Sequence, residues 1–408
     1  MKKNKLNILY YITRWYEGTA YKNINFMRDN FGGEIIKEDI AATDDYIKET
    51  KPDFMVVRGD NRDDFRIAIE HNLPYLLIEH DINSLRRGRL SGQEKERIEN
   101  AAAIILTSED HAKYFQHLKE DKGWEIPYYK VIHTRPLKKD IDYKPKEKIE
   151  GLNLVYAGGV IANWTRRNSY YGYRCYHEIF RAFIKAGWNV HIYSASYNGG
   201  KLSEYKDIGC ILHRNLPYNK LIQEMSQYTA GFHGYNKEGV FEQAYNYTKL
   251  CRGNKIWDYL MAGIPTIGYQ GGNGMKIYKG KWGIIINDLE KKTLEEIPER
   301  LKKIKITKRM RESNVMEKDI KKYKKIINIV LKEAGEMKKR EMVIPDYSNV
   351  KDNVRLPKKI RVYNKGVKEI YRGGYIFPPR KQTEELAINV RTYKEIKSHV
   401  SLIIEIVK

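Results

Sequence analysis

Cysteine is scarce. Cys175, Cys210 and Cys251 are three in 408 residues, odd in number and widely spaced. That pattern excludes a disulfide framework, argues against structural zinc, and fits a reducing cytoplasm. No run of about eighteen apolar residues occurs, so no membrane-spanning helix is expected. Met1 to Lys5 are basic but lead into only a short apolar run, which predicts a first strand and not a secretory signal. Dense clusters of Asp, Glu and His are missing, and no metal site is expected. Acidic residues are outnumbered, 52 Asp+Glu against 75 Lys+Arg, for a formal charge of +23. The surplus is uneven: residues 291–408 carry 32 Lys+Arg and 16 Asp+Glu. A basic face attracts nucleic acid, anionic lipid or acidic substrates. Solvated helical faces of a lysine-rich chain have the same composition.

What is present supports two domains and an extension. Strand-like runs alternate with helical ones: Leu6–Ile12, a helix from Tyr21 to Phe31 stopped by Gly32-Gly33, then Asp53–Val57, Leu73–Ile78 and Ala101–Thr107. Ser108-Glu109-Asp110 reads as a helix cap and first turn. This alternation predicts an α/β fold with a parallel, doubly wound sheet. Ligands in such sheets sit beyond the C-terminal ends of the strands. The loops after Ile12, Val57 and Ile78 are therefore candidate site loops. His80 and Asp81 follow a buried strand directly; His80 either faces a cleft or caps a turn. The first loop carries Arg14, Trp15 and Glu17.

Residues 137–151 are polar and basic and read as an interdomain linker. Leu152–Ala157 then starts a second strand series, and Gly158-Gly159 lets the backbone approach a ligand closely. Arg166, Arg167 and Arg174 follow among tyrosines. Tyr176–Ala186 reads as a helix and Trp188–Ser194 as a strand. Leu216–Met225 reads as a turn and helix, and Ala230–Gly234 as a strand ending at Tyr235-Asn236.

The stretch Asn254 to Pro265 is the most informative. Ile256, Tyr259, Leu260 and Met261 form a helical stripe, Gly263 stops the helix, and Thr266–Tyr269 reads as a buried strand. A helix start rich in basic and amide groups favours phosphate. Asp258, one turn in, has the chemistry to accept hydrogen bonds from a ribose diol. Glu317–Lys339 is a long basic amphipathic helix with Ile320, Tyr323, Ile326, Ile327, Val330 and Leu331 on one side. After Val343, prolines and short apolar runs replace the helical pattern. Ile360–Tyr363 and Val367–Tyr371 around Asn364-Lys365-Gly366 read as a hairpin, with further strands at Glu385–Val390 and Val400–Val407.

Asn254, Lys255, Trp257, Asp258, Tyr259, Ala262, Gly263 and Pro265 resemble the donor-binding segment of GT-B glycosyltransferases, in the group that includes families 4 and 1. The resemblance covers residues 1–340 and is firmest over 152–268. It implies two Rossmann-like domains facing a cleft: an acceptor-side domain over 1–150 and a nucleotide-sugar domain over 151–310. A helix over 311–342 would cross back to the first domain, and a β-rich basic appendage over 343–408 lies outside the resemblance.

The implied activity is transfer of a sugar from a nucleotide-sugar, expected to be UDP-linked, to a hydroxyl acceptor, without metal or other cofactor. His80 would lie near the transferred sugar, as in retaining members, with Asp81 beside it; Glu17 occupies the loop where inverting members keep a base. Gly158, Gly159, Arg166, Arg167, Arg174, Arg214, Tyr218, Tyr235, Asn254, Lys255 and Asp258 are the implied donor-binding residues, with Arg214 and Tyr218 near the base. Most members have Glu where this chain has Asp258, and Leu250 replaces an earlier Glu. The acceptor is open between a cell-surface glycan or lipid precursor and hydroxymethylated phage DNA. The expected setting is cytoplasmic, at an anionic polymer or membrane surface. The competing reading is a non-catalytic nucleic-acid or membrane-binding protein on a GT-B-like body.

Overall fold

The computed structural model describes residues 6–12, 19–37, 40–59, 64–164, 168–194, 202–251 and 253–342, with five strands between 360 and 406. Glu17, Arg166 and Arg167 lie outside them, as do Arg14 and Trp15. The chain divides into two compact units. The larger, residues 1–65 with 73–334, contains two six-stranded parallel sheets.

In the first sheet, β1 (Ile8–Ile12), β2 (Glu34–Lys37), β3 (Phe54–Arg58), β4 (Tyr75–Glu79), β5 (Ala103–Leu106) and β6 (Tyr129–Val131) are ordered β2-β1-β3-β4-β5-β6. The second contains β7 (Asn153–Ala157), β8 (Asn189–Tyr193), β9 (Ile211–His213), β10 (Ala230–Gly234), β11 (Thr266–Tyr269) and β12 (Gly283–Ile286), ordered β12-β11-β10-β7-β8-β9. Each order reverses once, between β1 and β3 and between β7 and β10. Ligands of open parallel sheets bind outside such reversals, at the strands' C-terminal ends.

Burial on both faces explains the apolar runs: every residue of β3, β4 and β5 is buried. The helix Ile320–Met342 places Tyr323, Ile326, Ile327 and Val330 in the core of the first sheet, where Tyr323 meets Phe26 at 5.0 Å between ring centroids. Met316 precedes it in a 3-10 turn, Met316–Asp319, so the long helix starts at Ile320 and not at Glu317.

Two details correct the sequence reading. The expected strand Leu73–Ile78 runs instead from Tyr75 to Glu79. Pro74 offers no N–H to the ladder, and the last position is an acid because its carboxylate is neutralised: Arg97 lies 3.0 Å from it, and both side chains are shut off from solvent. The polar stretch 137–151 runs between β6 of the first sheet and β7 of the second, and it is tied down along its length. Asp140 accepts the Leu137 N–H at 2.7 Å, Tyr143 donates to the Met261 carbonyl at 2.8 Å, and the Lys148 ammonium donates to the carbonyls of Ser226 and Tyr228.

The smaller unit, residues 66–72 with 335–408, holds an antiparallel sheet of β13 (Ile360–Asn364), β14 (Val367–Arg372), β15 (Tyr375–Phe377), β16 (Ile388–Asn389) and β17 (Ile403–Ile406), ordered β16-β15-β14-β13-β17. β13 and β14 pair from Ile360↔Tyr371 to Asn364↔Val367, the expected hairpin. The strand Tyr375–Phe377 was not expected from the sequence.

The buried Glu79–Arg97 pair makes a direct prediction. Arg97→Met should destabilise the protein by about 3–5 kcal/mol, because it breaks a buried ion pair by removing one partner. Urea unfolding of the variant checks this; a loss below about 1 kcal/mol would contradict it.

Candidate active site

The C-terminal edges of the two parallel sheets border one cavity of about 300 Å³. The first sheet contributes Arg58 from the end of β3, His80 and Asp81 after β4, and Thr107 after β5. The second contributes Ala157 and Gly158 at the end of β7 and Tyr235 after β10. Asn254, Lys255 and Asp258 come from the helix Lys255–Met261 and the residue before it. That helix is fixed by its apolar side: Ile256, Tyr259, Leu260 and Met261 are buried, and the Tyr259 hydroxyl donates to the Phe232 carbonyl at 3.0 Å. It ends as expected before Gly263, whose φ is +71°.

The glycine pair has a definite purpose here. A Cβ at Gly158 would come within 3.3 Å of the Lys255 side chain, and one at Gly159 within 3.3 Å of the Arg174 guanidinium. Gly158 also has φ +153°, which side-chain-bearing residues rarely adopt. The two glycines clear the space in which two cations stand. Lys255 lies 4.7 Å from the Tyr156 ring centre, and Arg174 lies over Tyr173 at 5.4 Å. Both cations border the cavity.

The two carboxylates at the cavity are each tied to a cation. Asp81 is 2.8 Å from Arg86 and also accepts the Tyr247 hydroxyl, while Arg86 donates to that hydroxyl at 3.0 Å. Burial pushes the Asp81 carboxyl up, but Arg86, Tyr247 and Arg174 together outweigh it and hold the carboxyl well below the usual range. Asp258 accepts from the Lys22 ammonium at 2.8 Å and the Tyr218 hydroxyl at 2.6 Å, both on Oδ1. Burial and then Asp258 raise the Tyr218 pKa well above the usual value, so Tyr218 stays a neutral donor. Lys22 and Arg86 belong to the first-sheet half; Asp258 and Tyr247 belong to the second. Each network therefore bridges the halves.

His80 borders the cavity, and its Nε2 is enclosed with no hydrogen-bond partner among the described residues. Enclosure pushes its pKa down to about 3, with the Arg58 charge adding to the effect. At neutral pH it is an uncharged imidazole at the cavity wall.

Of the residues singled out in the sequence, the structure brings His80, Asp81, Gly158, Arg174, Tyr235, Asn254, Lys255 and Asp258 to one cavity. Gly159 stands just behind, against Arg174. Arg214 is exposed and does not border the cavity, because β9 ends at His213 and the turn after it faces solvent. Tyr218 reaches the site only through Asp258. Sequence reasoning missed Arg58, Thr107, His111, Tyr173, Tyr247 and Cys251 on the wall, and Lys22 and Arg86 behind it. For Arg58 a signal existed, since it follows Val57 at a strand end whose loop was already a candidate; the loop after β5, which carries Thr107, was not one. Lys22, Arg86 and Tyr247 are helical residues that only tertiary packing brings in. Among the described residues, no group of His, Cys, Asp and Glu has the arrangement of a metal site, and no helix is long and apolar enough to cross a membrane.

No protein-family description matches the sequence, and no curated protein does. Solved structures match by shape, and the chain has the GT-B architecture of two Rossmann-like halves. Sucrose-phosphate synthase from Thermosynechococcus elongatus superposes with a TM-score of 0.53 at 10% identity, over 82% of this chain and 99% of that one. An alpha-glucosyltransferase in complex with UDP-glucose and DNA containing an abasic site gives 0.49 at 12%, over 73% and 90%. A UDP-forming alpha,alpha-trehalose-phosphate synthase from Burkholderia xenovorans gives 0.46 at 10%, over 85% and 99%. At these identities the likeness concerns the fold.

The state of His80 is testable through pH. Its folded pKa of about 3 lies below the unfolded value of about 6.5. Its contribution to stability is therefore complete above about pH 6.5 and is lost as the pH falls toward 3. His80→Gln should lose less stability between pH 7 and pH 5 than the parent, and the His80 ring should not titrate by NMR between pH 8 and 5. A ring titrating near pH 6.5 would contradict the enclosure.

Proposed function

We propose that the chain is a glycosyltransferase that moves a sugar from a nucleotide-sugar, with UDP as the expected carrier, to an acceptor hydroxyl. The observation that carries this reading is the charge of the cavity. Arg174 and Lys255 face it, while each of its two carboxylates already has a cation, Arg86 or Lys22. Such a site favours an anion. A diphosphate on Arg174 and Lys255 would have its leaving-group charge stabilised by cations already in place, without a metal ion. The glycine pair keeps that space open.

The remaining roles follow from the same geometry. Asp258 would receive the ribose hydroxyls beside Lys22 and Tyr218. His80, neutral and with Nε2 unsatisfied, would bond a hydroxyl of the transferred sugar as a positioning group. Asp81, held ionised by Arg86 and Tyr247, would act as a fixed negative charge and not as a proton acceptor, since a general base works best with a pKa near the operating pH. We favour retention of configuration, on the position of His80. The roles of Glu17, Arg166 and Arg167 rest on the family resemblance alone. The acceptor would be a cell-surface glycan or lipid precursor, or hydroxymethylated duplex DNA; the basic surplus fits both. Steep loss of affinity with salt on duplex DNA would select the second.

A nucleotide-sugar panel read by thermal shift identifies the donor, because a ligand that binds only the folded state raises stability. Donor hydrolysis without acceptor separates an enzyme from a non-catalytic binder. Lys255→Ala should weaken donor binding about tenfold or more, from loss of a charge-assisted hydrogen bond of about 1.5–3 kcal/mol. Asp258→Asn should raise the donor KM with the fold intact. Unchanged donor kinetics in both variants would defeat the assignment.

A further inference from the structure

A second cavity, of about 370 Å³, shares no wall residue with the first. Its wall is His133, Arg135, Trp257, Ile277, Lys281, Trp282, Met310 and Asn314. Three features set it apart from an ordinary packing gap. Trp257 and Trp282 lie with ring centroids 5.6 Å apart and planes inclined by 38°, an angular aromatic corner. Trp282 is only 4% exposed, yet its indole N–H has no partner among the described residues, an uncommon arrangement for a buried donor. The Arg135 guanidinium stands 5.3 Å over Trp257, with its Nε equally without a partner, and the exposed Lys281 borders the same space.

We propose that this cavity binds an anionic sugar residue, a pyranose bearing a phosphate or a carboxylate. The volume lies within the range of small-ligand pockets. Ile277, Met310 and the parts of the two buried indoles that reach the wall offer apolar contact to the C–H groups of a pyranose, and the Trp282 indole N–H is a fixed donor for a hydroxyl. No carboxylate borders the cavity. Two wall residues pair with acids that are not part of the wall: Arg135 with Asp319 at 3.3 Å, which Lys322 also meets at 2.6 Å, and His133 with Glu109 at 3.3 Å. Lys281 presents positive charge to the ligand and Arg135, though paired with Asp319, keeps an Nε–H to donate, a group that suits phosphate and carboxylate alike. Because Trp257 directly precedes Asp258, an occupant here would touch the helix that also borders the first cavity.

The probes are galactose 6-phosphate and galacturonate, with galactose and inorganic phosphate as comparators, read by intrinsic tryptophan fluorescence and thermal shift on the full chain. Saturable binding of either anionic sugar, at least tenfold tighter than both comparators, is expected. Binding of the phosphate form alone or of the carboxylate form alone supports the proposal and names the anion. Lys281→Glu, a change at an exposed position, should weaken binding at least tenfold, and Trp282→Phe should remove most of the fluorescence response. Absence of saturable binding by both probes overturns the proposal. So does equal affinity in parent and Lys281→Glu, or binding lost in His80→Ala and kept in Lys281→Glu, which would place the ligand in the first cavity.

Discussion

A surplus of positive charge at the meeting of two sheet edges governs this structure. Arg86, Arg174, Lys22 and Lys255 stand against Asp81 and Asp258. The two carboxylates neutralise the cations that bridge the halves, Arg86 through Tyr247 and Lys22 directly. Removing such a charge from water is costly unless it is paired and hydrogen-bonded, which both networks satisfy. Arg174 and Lys255 remain facing the cavity, each given room by a glycine. An anion placed between them would relieve like-charge repulsion within the second half, and in this cavity it would also lie against His80 and Asp81 of the first. Ligand binding and approach of the halves are then expected to be coupled, since a ligand favours whichever arrangement offers it more contacts.

Two cavities share the short helix Lys255–Met261. Its apolar residues fix it against β10 and β11, while Lys255 and Asp258 reach one cavity and Trp257 the other. Consecutive helix residues point in directions about 100° apart, so one turn can serve two walls. Each position from Asn254 to Met261 therefore has either a core contact or a cavity to border.

Much of this was legible in the sequence, where local pattern and tertiary role agree. The Asn254–Pro265 helix and strand, the Ser108 cap and the hairpin at Ile360 are local features, and each forms as read. The stripe Tyr323, Ile326, Ile327 and Val330 is buried as its spacing implied. His80 and Asp81 reached the cavity because a strand's C-terminal end points there. What escaped reading depends on distant pairing. Glu79 passes for a strand end until Arg97, eighteen residues on, makes it a core residue. Arg86 and Tyr247 carry no motif, and their importance arises only when the halves meet. Arg214 follows the family pattern in sequence, yet the short β9 turns it to solvent.

We propose that the first cavity receives the diphosphate of a nucleotide-sugar. Calorimetric titration with UDP and with uridine tests it most directly. UDP should bind at least a hundredfold more tightly than uridine, and Arg174→Ala combined with Lys255→Ala should abolish the difference. Equal affinities for UDP and uridine in the parent protein, or no binding of any nucleoside diphosphate, would contradict it.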